Sequence, residues 1–214
     1  MRSIRTTVAS RITGSCAFLG LFAILLAATG APRFPQQAQS PAAQLSLAVE
    51  PAQSKVHWVL DTTLHTVHGT FALKRGELRF EPDLSKASGE IVVDATSGVS
   101  GNDSRDKKMH KEILESSRFS EIVFHPDRID GKVSLQGASD VQVHGVFSLH
   151  GSDHELTLPI HAEVSGTSWK GTGKFSVPYI QWGLKNPSNF LLKVKPDVEI
   201  DLELSGTLQN SQVN

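Results

Sequence analysis

From Lys55 onward apolar residues recur at alternate positions, in runs punctuated by Gly, Asp, Asn and Pro. A period of two marks strands with one face turned to a core, because successive side chains of an extended chain point to opposite faces. Lys55–Asp61 sets Val56, Trp58 and Leu60 against Lys55, His57 and Asp61 and is a predicted first strand. The same alternation predicts strands over 67–73 and 76–80, joined through Lys74-Arg75-Gly76. After a turn at Glu81-Pro82-Asp83, further strands are expected over 89–95, 121–125, 131–135, 141–149, 155–164, 170–177 and 198–208. About eight to ten strands joined by short turns make an antiparallel sheet that must close or double up, since open edges invite pairing with other chains. A barrel and a two-sheet sandwich both satisfy the alternation.

Residues 102–124, NDSRDKKMHKEILESSRFSEIVF, break the pattern and predict the one long helix. On a wheel of about 100° per residue, Met109, Ile113 and Leu114 share one face, and Lys107, Lys108, Lys111, Glu112 and Glu115 share the other. Asn102, Asp103 and Ser104 are each suited to cap its start, since a short side-chain oxygen accepts from the free amides of a first turn. Asp106 and His110, four residues apart, fall among the apolar positions. A buried polar group without a partner costs a few kcal/mol. The two are therefore expected either to hydrogen-bond and orient the helix, or to form the polar end of a cavity or an acid/base pair.

The motif pattern of this stretch resembles the YceI family of periplasmic, lipocalin-like proteins. The matching positions are Asn102, Arg105, Asp106, Met109, His110, Phe119 and Phe124, with Phe119-Ser120 standing where the family usually has Tyr-Pro. Residues 65–71 (HTVHGTF) resemble the family's H-x-V-x-G-x-F strand. Residues 143–159 are similar to its L-x-G-V-T-x-P-V-x-L hairpin, with Ser152-Asp153-His154 replacing the usual turn. Residues 175–184 resemble its penultimate element and 194–208 its closing strand. The resemblance implies an all-β fold, an extended eight-stranded antiparallel lipocalin-like barrel with one amphipathic helix across an opening. It also implies binding of a polyisoprenoid or another long-chain, fatty-acid-like lipid.

The start of the chain bears on location. Arg2, Arg5 and Arg11 precede the apolar run 17–28, and small residues follow it, so 1–31 is expected to be a signal peptide and the protein periplasmic or secreted. An uncleaved segment would instead anchor the chain; otherwise membrane contact is expected to be transient. Residues 32–44, rich in Pro, Gln and Ala, are expected to be a disordered linker, 45–209 the barrel domain and 210–214 a tail.

Charge and chemistry exclude several classes. The whole chain has 21 basic and 22 acidic residues; without 1–31 there are 18 and 22, a net charge of about −4. Neither that balance nor any basic cluster calls for nucleic acid. Cys16, the only cysteine, lies before the apolar run, so the mature chain would have no thiol and no disulfide. Nine histidines lack the spacing of a metal set: His65 and His68, three apart on a strand, would point to opposite faces. No G-x-S-x-G or Gly-rich phosphate loop is present, so no catalytic residue, metal or cofactor is expected.

The expected function is a binding protein, with a homodimer left open. Its ligand-binding residues are expected among Trp58, Leu60, Phe71, Ile91, Val93, Met109, Ile113, Phe124, Phe147, Phe175, Tyr179 and Trp182. Arg105, Asp106 and His110 are expected at the polar end of the ligand. Which strand face points inward stays open at this level. The competing readings are a hydrolase using Asp106 and His110 and a stress-protective domain with a filled core.

Overall fold

The computed structural model describes residues 44–81 and 85–211. The expected signal peptide and nearly all of the expected linker lie outside the described residues, as do Pro82 and Asp83 of the expected turn and 212–214 of the expected tail. The strands are β1 (Gln44–Val49), β2 (Lys55–Asp61), β3 (Thr66–Glu81), β4 (Lys86–Val99), β5 (Glu121–Asp130), β6 (Gly137–Leu149), β7 (Ser152–Ser165), β8 (Ser168–Val177) and β9 (Val198–Ser211). A short helix, α1 (Asp103–Lys108), continues as a wider π turn over Met109–Ile113.

The nine strands form a closed antiparallel barrel with eight positions around its wall, because β1 and β2 share one of them. Both lie between β3 and β9: β1 against the far end of β3, with Leu45 opposite Phe80, and β2 against its start, with Val56 opposite Phe71. Pro51 begins the 3-10 turn between them, and proline cannot donate to a ladder. Flanking groups tie the kink to β9 instead. Glu50 N donates to Ser205 O at 2.8 Å, and Ser54 Oγ accepts from Ser205 N at 3.1 Å. Pairing of β3 with β4 closes the ring and leaves no edge along most of its length.

Two expected strands, 67–73 and 76–80, are one. β3 runs through Lys74-Arg75 with a bulge, since Leu73 faces Val93 while Arg75 faces Val92. The extra residue reverses the parity of the strand. Val67 and Phe71 face inward before the bulge, Leu78 and Phe80 after it. A lost beat in the alternation reads in sequence as a break. The bulge also puts two cations side by side outside: Lys74 Nζ and Arg75 Nη1 reach Glu121 at 2.7 and 3.0 Å, and Arg75 Nε reaches Glu90 at 2.8 Å. Hydrogen bonds from Lys74 and then Arg75 hold the Glu121 carboxyl below its ordinary range.

A strand is absent at 131–135. That segment is a loop whose Val133 and Leu135 face the barrel end opposite α1. The expected long helix is also shorter than its sequence stretch, ending at the π turn, where Leu114 N donates to Met109 O at 2.9 Å. Asn102 caps it, its side chain accepting from Arg105 N at 3.0 Å.

Charges lie outside and apolar side chains inside. Lys55 pairs with its cross-strand partner Glu203 at 3.2 Å, and Lys174 with Asp201 at 2.8 Å. Barrels that span an outer membrane have the reverse arrangement, an apolar band outside and a polar interior.

Candidate functional site

The barrel interior is hollow. A larger chamber of about 550 Å³ opens beside α1, and a smaller one of about 190 Å³ continues toward the opposite end. Phe71, Ile122, Phe147 and Ile200 border both, so the chambers adjoin. The larger one falls within the usual range of ligand pockets, about 300–1,000 Å³.

Strand parity decides which predicted residues reach it. Trp58, Leu60, Phe71, Phe147 and Tyr179 line the larger chamber, with Met109 and Ile113 from the helix and its π turn. Ile91, Val93, Phe124 and Phe175 line the smaller one, joined by Phe71 and Phe147. Arg105 stands at the mouth of the larger chamber, where Nε donates to Ser100 Oγ at 2.7 Å and Nη2 to Ser100 O at 2.9 Å.

Three predicted residues do not line the cavity. Trp182 stacks on His154, ring centroids 4.1 Å apart and planes 2° from parallel, and packs against Phe147 at 5.7 Å. Asp106 turns to the end of β4, accepting from Ser100 N at 3.0 and 3.1 Å and from Ser100 Oγ. His110 Nε2 lies 2.8 Å from Gly98 O, and Nδ1 lies 2.9 Å from Ser116 Oγ. A carbonyl only accepts, so Nε2 carries a proton there. Among the described residues no hydrogen bond joins Asp106 to His110, which corrects the expected pair: Asp106 is held by Ser100, just past the end of β4, and His110 by Gly98 within β4, and together they fasten the helix to the strand. The Asp106 carboxylate and both nitrogens of the His110 ring have their partners at this junction, outside the cavity lining.

Polar groups around the larger chamber are few. The Tyr179 hydroxyl donates to Lys195 O at 2.9 Å, and burial, with a smaller contribution from the Asp197 charge, pushes its pKa up to about 12. Trp58 is buried, and its Nε1 has no hydrogen-bond partner among the described residues. Thr62, His65, Asn102, Ser104 and Lys108 ring the mouth. Elsewhere the histidines are dispersed, His144 on Asp130 at 2.7 Å and His161 on Asp140 at 2.8 Å. Among the described residues no three His, Cys, Asp or Glu side chains converge as a metal set.

Sequence reasoning missed two groups of lining residues. Ile200, Leu202 and Leu204 of β9, and Trp169 of β8, were legible as alternating positions once parity was known. Pro187, Asn189, Leu192 and Val194 reach the mouth from an irregular segment after β8, which has no periodicity to detect.

A closed antiparallel barrel with a hollow apolar interior, opening beside one short helix, is the class of protein this architecture defines. The YceI-like domain matches residues 47–206, and the chain belongs to that family. No curated protein matches the chain. Among solved structures, Burkholderia cenocepacia BcnA superposes with a TM-score of 0.61 at 17% identity, over 74% of this chain and 99% of that one. A polyisoprenoid binding domain from Saccharophagus degradans, implicated in plant cell wall breakdown, superposes with a TM-score of 0.58 at 13% identity, over 77% of this chain and 98% of that one. At these identities the likeness is one of fold.

Proposed function

We propose that the barrel binds one elongated apolar molecule, a polyisoprenoid or another long-chain lipid, as a periplasmic or secreted carrier without covalent chemistry. The observation that carries this reading is the pair of adjoining chambers walled by aromatic and aliphatic side chains. A filled core would leave no such space. The family membership and the polyisoprenoid binding of the Saccharophagus neighbour support the same ligand class. The tail would lie along Phe71, Phe147, Phe175 and Phe124, and the polar end would rest at the mouth near Arg105 and Lys108. The hydrolytic alternative loses its support, because Asp106 and His110 do not pair and bond instead to Ser100 and to Gly98 and Ser116.

Organic-solvent extraction of the purified protein, followed by mass measurement, tests the proposal first. Titration of delipidated protein with isoprenoid alcohols of increasing length tests it second, read by the emission of Trp58 and Trp169, which line the two chambers. Burying a methylene is worth about 0.8 kcal/mol, so each added one should tighten binding by up to about fourfold until the space is full. No extracted lipid together with a response independent of length would remove the assignment. The intact mass of exported protein tests the location: a mass lacking about the first 31 residues is expected, and the full 214-residue mass would mean an anchored chain.

A further inference from the structure

The most exposed large apolar side chains of the described residues stand on one rim. Leu64, Phe190 and Leu191 are 73%, 94% and 81% exposed, whereas the next, Val99 and Leu135, are 51% and 46%. Backbone and side-chain hydrogen bonds hold the turns that carry the three. Asn189 Oδ1 accepts from Leu191 N at 2.9 Å and Leu192 N at 2.8 Å, and Asn189 N donates to Leu192 O at 2.8 Å. This short turn presents Phe190 and Leu191 at its tip. Thr63 N donates to Lys193 O at 2.9 Å and Thr63 Oγ1 accepts from Lys193 N at 3.3 Å, tying the turn that carries Leu64 alongside.

The neighbours of these tips, Thr62, His65, Asn189 and Leu192, line the larger chamber, so the tips border its mouth. Cations accompany them. Lys185 and Lys195 are taken up by Glu112 and Asp61 at 2.7 and 2.6 Å, but Lys108 and Lys193 make no ion pair among the described residues. Apolar tips with unpaired lysines beside them match the boundary between acyl chains and anionic headgroups, where apolar burial and charge attraction add.

We propose that this rim docks on a phospholipid bilayer, Leu64, Phe190 and Leu191 entering the acyl boundary and Lys108 and Lys193 meeting anionic headgroups. The cavity mouth then faces the membrane, and a long-chain lipid passes between bilayer and barrel without crossing water. The docking itself concerns the outer surface and does not depend on what the cavity carries.

The test places a reporter at the tip of the full chain by Phe190→Trp and adds vesicles of phosphatidylcholine and phosphatidylglycerol with brominated acyl chains. The unsubstituted chain supplies the baseline for Trp58, Trp169 and Trp182. A local reporter is needed because the apolar run 17–28 could bring the chain to vesicles by itself. The introduced indole is expected to shift to the blue and be quenched by the bromines. Adding Leu64→Ser and Leu191→Ser should weaken that quenching by about tenfold or more. Unchanged emission on adding vesicles overturns the proposal, as does a shift that follows protein concentration without vesicles, which would mean contact with a second copy. Docking without extractable lipid would count against the carrier reading alone, and lipid in the extract without docking would count against the rim alone.

Discussion

Trp58 on β2 and Gly69 on β3 are direct cross-strand partners, and the Trp58 indole occupies the place where a side chain at position 69 would begin. An added Cβ would fall well inside van der Waals contact of ring carbons Cε2 and Cζ2 and of the Val99 carbonyl oxygen. The glycine thus makes room for the indole in the wall of the larger chamber. Trp169 and Gly206 are likewise cross-strand partners on β8 and β9, but there an added Cβ would meet the Ala48 carbonyl of β1 first and Trp169 Nε1 only at 2.9 Å.

Gly69→Ala should therefore destabilise the barrel by about 1–3 kcal/mol, the usual cost of overpacking, or more if the Val99 backbone must also move. Urea unfolding measures it. The emission of Trp58 should shift as its ring is displaced. An unchanged midpoint and spectrum would mean that the indole steps aside freely.

Ile200 borders both chambers, beside Phe71, Ile122 and Phe147. Ile200→Trp should block the passage and confine a ligand to the larger chamber. The chain length of tightest binding in an isoprenoid series should fall, while short members bind as before. The stability cost of overpacking, about 1–3 kcal/mol, is read separately by thermal melting. An unaltered length optimum would show that ligands do not pass between the chambers.

Asp106 and His110 hold different partners, Ser100 for the first and Gly98 and Ser116 for the second. Asp106→Asn and His110→Leu should each cost about 1–3 kcal/mol, because each disturbs bonds to part-buried groups. In a double-mutant cycle the coupling should stay within about 0.5 kcal/mol, as for sites without shared partners. A larger coupling would restore a direct interaction between them.

The Tyr179 hydroxyl titrates at about 12 in the folded protein against 10.0 for an ordinary tyrosine. Because the folded value is the higher, its contribution to stability is complete below about 10 and is lost as pH rises toward 12. The difference corresponds to on the order of 2–3 kcal/mol. Unfolding measured across that window should show a decline that Tyr179→Phe flattens. Ultraviolet titration of this single tyrosine gives the folded value directly.

Local patterns carried much of the fold. β2 is Lys55–Asp61 in sequence and structure alike, and β6 to β9 each contain the run that alternation marked, because period-two patterning is written in neighbouring residues. Asn102 was legible as a cap for the same reason, as its bond to Arg105 N spans three residues. Positions where the beat changes were misread. The bulge at Lys74-Arg75 cut β3 in two, and 131–135 alternated without pairing, since its hydrophobic residues face a barrel end.

The sequence by itself determined that the chain is built of strands with one apolar face, interrupted by one amphipathic helix whose length it overstated, and its motifs placed it in a family. Tertiary structure alone decided how those strands meet: β1 and β2 sharing one position, β3 pairing with β4 to close the wall, and the parity that turns Trp58, Phe71 and Phe147 inward, while the turn after β8 stacks Trp182 on His154 outside the cavity. It also decided that Asp106 and His110 bind the end of β4 and not each other, and that Asn189 and Leu192 reach the mouth. The reason is physical. Alternation is fixed within a few residues by the pleat of one strand, whereas closure, register and open space depend on pairings between distant segments, and a one-residue slip would turn every side chain of a strand to its other face.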